Sequence, residues 1–155
     1  MNPNNRLQEL GIALPDPAAP VGSYVPAIRS GRHAMCSGQL ALKDGKLLHQ
    51  GRVPGDVSIE NAMEDAELAV VNAIAAISKI AGGVDNIARI VRVCVYVASD
   101  AGFTSQHKVA NGASDMLVKI FGDAGRHVRA AVGVAQLPLG AAVEVEIMAE
   151  LTEKS

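Results

Sequence analysis

Residues 126–150, RHVRAAVGVAQLPLGAAVEVEIMAE, carry the clearest alternation of apolar and polar positions in the chain. Two strand-like runs, 128–135 and 142–151, flank a break at Leu137-Pro138-Leu139-Gly140. In the first run Val128, Ala130, Val132 and Val134 share one face and Arg129 sits on the other. In the second, Val143, Val145, Ile147 and Ala149 oppose Glu144, Glu146 and Glu150. This period of two is that of half-buried strands. A lone Arg at the start of an apolar strand is either a solvated edge position or a paired, functional one, because burying it unpaired is costly.

Upstream, the same reading gives a short helix over residues 4–10, a Pro-rich connector at 14–20 and a strand over 23–29. A second strand spans 33–42, interrupted by Ser37-Gly38, which marks either a bulge or a close approach of a ligand or another backbone. Asp44-Gly45 is a hairpin turn signal, with 47–53 as the returning strand. Asp56 or Ser58 can cap a helix whose apolar positions (Ala62, Ala66, Ala69, Val70, Ala73, Ile74, Ile77, Ile80, Ala81) recur every three or four residues until Gly82-Gly83. A strand over 89–97, a helix over 103–121 and the two closing strands complete the order. Three strands, helix, strand, helix and two strands predict an α+β fold, a mixed β-sheet with two helices packed on one face.

A length of 155 residues predicts one domain over 1–155, with 1–19 as the N-terminal helix and link. The chain is 49% hydrophobic but has no Trp, two Phe and two Tyr, so its core must be aliphatic and Ala-rich. A net charge of −2 with dispersed Lys and Arg argues against a nucleic-acid surface. No apolar run approaches the ~18 residues of a membrane span, and no signal peptide is visible, so a soluble cytoplasmic protein is expected. Cys36 and Cys94 lie in apolar runs and are expected as free buried thiols. Metal binding is not expected, since His33, His49, His107 and His127 lack ligand spacing. There is no phosphate loop ahead of a helix and no Gly-x-Ser-x-Gly elbow. His107-Lys108 reads as a solvated helix surface.

Arg129, Val132-Gly133-Val134, Leu137-Pro138 and Glu144-Val145-Glu146, together with Gly22-Ser23-Tyr24 and Ser37-Gly38-Gln39, resemble the motifs of the reactive intermediate deaminase family (RidA/YjgF), in its longer chorismate-mutase-like branch. The resemblance runs from about residue 20 to 151. It implies a chorismate-mutase-like fold and hydrolysis of enamine or imine intermediates, such as 2-aminoacrylate, to 2-oxo acids and ammonia, without a cofactor. It implies that Arg129 holds the carboxylate of a small metabolite and that Glu144 activates water. Tyr24, Ser37, Gly38 and Ala131 would line the substrate pocket. Arg129 suits its role because a guanidinium grips a carboxylate through two parallel hydrogen bonds. Glu144 suits its own as a general base.

Two positions depart from the well-studied branch: Ala131 stands where that branch has Cys, and Ala101 where it has a pocket Asn. Two other functions therefore stay open: a non-catalytic protein that senses a small carboxylate, and the ribonuclease activity ascribed to some relatives. The resemblance also implies a homotrimer with the pocket between subunits. Strand geometry points the same way. If the chain reverses near Leu139, Glu144 lies level with about Val134, and Arg129 lies about five residues, roughly 16 Å, further along.

Overall fold

The structure, a computed structural model, describes residues 1–153. Its elements are α1 (Pro3–Glu9), β1 (Ala27–Ser30), β2 (His33–Cys36), β3 (Gln39–Leu40), β4 (Leu42–Lys43), β5 (Lys46–Leu47), α2 (Ile59–Ala81), β6 (Ile87–Ala98), α3 (Gln106–Phe121), β7 (Val128–Val134) and β8 (Val143–Leu151). The main sheet runs β1-β2-β8-β6-β7, with β3 continuing β2 along β8. All pairs are antiparallel except β6 and β7, which α3 joins as a parallel crossover. The fold is thus a mixed sheet with α2 and α3 against one face, and α1 as a third, short helix.

α2 starts where the Ser58 side chain accepts the Asn61 N–H at 3.1 Å and stops at Gly82, whose φ of 78° a side chain would oppose. Asp56 is not the cap; its carboxylate accepts the Arg52 N–H instead. Ile74 and Ile77 are fully buried, each contributing about 1.5–3 kcal/mol by leaving water. Ile80, read as part of the same stripe, is 38% exposed because the stripe has turned past the sheet there. α3 begins at Gln106, three residues later than the pattern suggests, since the Gln106 side chain folds back onto the Phe103 carbonyl.

The early strands are shorter than their apolar runs. Of the run read as 23–29, residues 23–26 are loop, and of the run read as 47–53 only Leu47 is in a strand. Asp44 and Gly45 both have positive φ, the two-residue turn their sequence predicts. His49 Nδ1 lies 2.7 Å from Asp65 Oδ1 and ties the segment after that hairpin to α2. Burial pushes the Asp65 carboxyl up, against the opposing pull of His49.

Helices α2 and α3 touch backbone to backbone at Gly112. A Cβ there would sit 2.9 Å from the carbonyl carbon of Met63 and 3.1 Å from its Cα, neither of which can move aside alone. Gly112→Val is therefore expected to destabilise the fold by about 3 kcal/mol, as overpacked cores do. That corresponds to a drop of about 6–12 °C in Tm for a chain of this size. An unchanged melting curve would refute the close approach.

Cys36 and Cys94 are free and lie on opposite faces. Cys36 shares the helix-covered face with Ala34 and accepts the Ile147 N–H. Cys94 pairs across from Glu146 on the other face. Burial pushes the Cys36 thiol up to about 11, so it remains protonated.

Candidate active site

Between β2 and β3 the pairing with β8 advances by one residue: Met35 faces Met148, but Gln39 faces Val145. Ser37-Gly38 is therefore a β-bulge. Ser37 ties the bulge to the preceding loop twice: its N–H donates to the Pro26 carbonyl at 2.8 Å and its hydroxyl to the Val25 carbonyl at 2.6 Å. That loop carries Tyr24, which is 45% exposed and whose hydroxyl accepts the Val21 N–H at 3.2 Å. Gly38 makes room for Glu144; a Cβ on Gly38 would lie 2.7 Å from the Glu144 carboxyl carbon. Tyr24, Ser37, Gly38 and Glu144 thus belong to one end of the sheet.

Glu144 sits in this niche half-buried, with no hydrogen-bond or ion-pair partner among the described residues. Burial raises its pKa above the ordinary carboxylate value, and Glu146 on the same face adds to the rise. Glu146, by contrast, is engaged: it accepts the Tyr96 hydroxyl at 2.9 Å and lies 3.9 Å from Arg92. The Tyr96 hydroxyl is itself pushed up, first by its hydrogen bond with Cys94 and then by Glu146, so it remains a donor.

Arg129 lies elsewhere. Val128 and Val132 face away from the helices and are 67% and 41% exposed, whereas Arg129, Ala131 and Gly133 face α3. The alternation read from sequence is correct, but the face it makes apolar is the uncovered one. The Arg129 Nη1 donates to Asn111 Oδ1 at 2.9 Å and Ser114 Oγ at 3.1 Å, and Nη2 donates to the His107 carbonyl at 3.3 Å. Ser114 lies 2.9 Å from His127 Nε2, and His127 Nδ1 lies 2.6 Å from the Gly125 carbonyl. A consistent proton arrangement has His127 donating from Nδ1 and accepting the Ser114 hydroxyl at Nε2. Of the five guanidinium N–H groups, three are held by α3. The remaining two, on Nε and Nη2, form one edge of the fork, with no partner among the described residues. An edge of this kind can grip a carboxylate through two parallel hydrogen bonds. Ala131, one register step along, packs its methyl toward the core and supplies no polar group.

Register fixes the separation of the two charged residues. Val93 of β6 stands between Arg129 and Ile147, and Tyr96 between Val132 and Glu144. Glu144 is therefore level with Val132, not Val134, and β6 lies between β7 and β8. Arg129 is three residues further along, about 10 Å, and two strands across, about 10 Å more. An odd offset also puts the two side chains on opposite faces. One chain does not bring them to one small ligand.

The sequence did not single out Asn111, Ser114 and the His107 carbonyl as holders of Arg129, nor His127 behind Ser114, nor Tyr96 beside Glu146. Asn111 and Ser114 stand three residues apart on α3, which places them on one helix face, but only the β6-α3-β7 crossover sets that face against Arg129. Arg129→Lys keeps the charge and loses the fork. Its affinity for pyruvate, measured by calorimetry, is expected to fall about tenfold or more, since charge-assisted bonds contribute about 1.5–3 kcal/mol each. Equal affinity would remove Arg129 from the site.

The mixed sheet with two covering helices and a carboxylate niche at the β2–β3 bulge defines a chorismate-mutase-like architecture. A family profile described as "YjgF/chorismate mutase-like, putative endoribonuclease" matches residues 4–151, and the chain belongs to that family. Protein TCP17 of Trypanosoma cruzi is 41% identical over 146 residues, covering 94% of this chain and 91% of its own. Among solved structures, Atu1372 of Agrobacterium tumefaciens, described as of unknown function, is 40% identical with a TM-score of 0.89, covering 97% and 92% of the two chains. A Shewanella oneidensis protein carrying the endoribonuclease description is 35% identical with a TM-score of 0.94, covering 97% and 100%. RidA of a Psychrobacter species is 30% identical with a TM-score of 0.60, covering 88% and 94%. Among the described residues no helix is long and apolar enough to cross a membrane.

Proposed function

We propose that this protein hydrolyses small imines or enamines bearing a carboxylate, such as 2-aminoacrylate, to 2-oxo acids and ammonia, in clefts between the subunits of a homotrimer. The observation that carries the reading is a pair of half-sites: a free guanidinium fork at one sheet edge and an unpartnered, half-buried carboxylate at the bulge, which no single chain joins. The uncovered sheet face, with Ile28, Val128 and Val132 exposed, supports association through that face.

In the assembled cleft the Arg129 fork binds the substrate carboxylate and fixes the imine carbon. Glu144 of the neighbouring subunit accepts a proton from water as its oxygen adds to that carbon. The resulting carbinolamine takes that proton back from Glu144 on its nitrogen, and as the C–N bond breaks and ammonia leaves, the Glu144 carboxylate takes the hydroxyl proton, giving the 2-oxo acid. An enamine enters the same path after protonation of its β-carbon. The imine carbon is electrophilic already, so no cofactor is required.

A second reading, carboxylate binding without turnover, is favoured by one feature: Ala131 places a methyl where the related enzymes resembled above carry a thiol. Ribonuclease activity, suggested by the descriptions of relatives, sits poorly with the carboxylates Glu144 and Glu146 on the same face, which repel phosphates. The test is release of 2-oxo acid from freshly generated 2-aminoacrylate. Turnover is expected, falling about 10- to 100-fold in Arg129→Ala as charge-assisted bonds are lost. Saturable pyruvate binding with no turnover would replace the first reading by the second.

A further inference from the structure

Glu144 shares its sheet face with a second carboxylate. Glu146 stands two residues further along β8, about 7 Å away, with its side chain on the same side. Two carboxylates this close take different roles when their surroundings differ, and here they do. Glu144 has no partner among the described residues. Glu146 accepts the Tyr96 hydroxyl at 2.9 Å. Tyr96 stands opposite Glu144 in the register, so this bond runs diagonally, while the Glu144 carboxyl turns over Gly38.

The other groups on this face leave the Glu146 charge uncancelled. Tyr96 is a neutral donor. Arg92 is 3.9 Å away, outside hydrogen-bond reach, and it is level with Met148, on the far side of Glu146 from Glu144. Cys94, opposite Glu146, is a thiol bonded to the Tyr96 hydroxyl. The loop tied to the bulge adds Tyr24 at the Glu144 end, and β2 and β3 bring Met35 and Leu40, neither of which titrates. Glu144 feels the charge: after burial, Glu146 is the second cause that raises its carboxyl.

Proton balance gives such a charge a use in the hydrolysis proposed above. Ammonia leaves with three hydrogens. Glu144 returns one to the nitrogen, so the other two must already be there when water adds. The bound imine is therefore the protonated form, C=NH2+, which is also the stronger electrophile. Addition of water turns it into a neutral carbinolamine, the proton returned by Glu144 makes the nitrogen a leaving group, and the hydroxyl proton is on Glu144 once ammonia has left. A fixed anion near the reacting carbon favours that cation, and on a face that association covers, water screens it little.

We propose that Glu146 is a second functional carboxylate of this site, whose fixed negative charge keeps the bound imine protonated, and that Tyr96 is the residue that positions it. The inference rests on the proposed hydrolysis and extends it to a pair of residues that the half-sites do not include.

Kinetics on the intact protein test this with Glu146→Gln, whose amide oxygen still accepts from Tyr96 while the charge is lost. Turnover of 2-aminoacrylate is expected to fall about tenfold, whereas affinity for pyruvate, which carries no cation, stays the same or rises. Both limbs of the pH profile should move to lower pH. The acid limb moves because Glu144 loses the neighbour that raises it, and the alkaline limb because the bound imine gives up its proton more easily. Tyr96→Phe should lower turnover about threefold, as one hydrogen bond is lost. The double variant should be no worse than Glu146→Gln, since Tyr96 acts through Glu146. Circular dichroism verifies the fold of each variant. Unchanged turnover and profile in Glu146→Gln would overturn the proposal. So would a parallel loss of turnover and pyruvate affinity with both limbs unmoved, the mark of a structural defect. Losses that multiply in the double variant would strike out the role of Tyr96. Turnover lost in Glu144→Gln but kept in Glu146→Gln would leave the hydrolysis standing and sink this inference alone, and an inactive wild type would sink both.

Discussion

Glu144→Gln is expected to fold, bind pyruvate and lose about 10²- to 10⁴-fold in turnover of 2-aminoacrylate, the range that a general base contributes. Gln fits the niche over Gly38 because it has the same shape, and Glu144 accepts no hydrogen bond whose loss would disturb the fold. The pH dependence gives a second signature. The base works ionised, and burial together with Glu146 raises its pKa above the ordinary 4.5. Activity should therefore fall on the acid side with a midpoint above that value, and the limb should vanish with the residual activity of the Gln variant. Stability moves in the opposite sense. A carboxyl whose folded pKa is raised contributes stability that is fully present below its unfolded pKa and lost as pH rises through the folded one. Removing the ionisable group removes that loss, so Glu144→Gln should be no less stable than the wild type at pH 7. Full turnover in the variant would move the role to Glu146, whose engagement by Tyr96 makes it the poorer base.

What sequence could reveal here depended on whether a feature was local. The Ser58 cap, the Gly82 stop, the Asp44-Gly45 turn and the alternation in β8 all follow from neighbouring residues, and the structure has them. The family motifs pointed to Arg129, Glu144, Tyr24, Ser37 and Gly38, and the Ser37-Gly38 interruption is a bulge that accommodates Glu144. Which face of β7 a helix covers is not local. Four apolar side chains against one Arg suggest that Arg129 faces water and the valines the core. The crossover through α3 instead leaves the valines on the uncovered face and sets Arg129, itself exposed, on the α3 side, where Asn111 and Ser114 accept its hydrogen bonds. Insertion of β6 between β7 and β8 is likewise invisible to periodicity, because sheet order is a property of the whole topology. The two-residue register error, Val134 in place of Val132, has the same origin.

Mixing two impaired variants should restore activity beyond the level of either. Arg129→Ala chains keep the niche around Glu144, and Glu144→Gln chains keep the fork of Arg129. If each cleft takes its fork from one chain and its base from the next, every mixed trimer holds one intact cleft, and a random equimolar mixture should regain about one quarter of wild-type activity. If both groups came from the same chain, no arrangement of the two variants would contain an intact site, and activity would stay at the level of the separate variants. The register makes the second case difficult: the two side chains lie on opposite faces, three residues and two strands apart. Light scattering at micromolar concentration should give the mass of three chains. Mass spectrometry of differently tagged variants would then verify exchange before the assay. A monomer mass, or no recovery in verified mixed trimers, would reject the shared cleft. The Arg129 fork would then have to find its carboxylate on the α3 side of its own chain, where Asn111, Ser114 and His107 already hold three of its five donors.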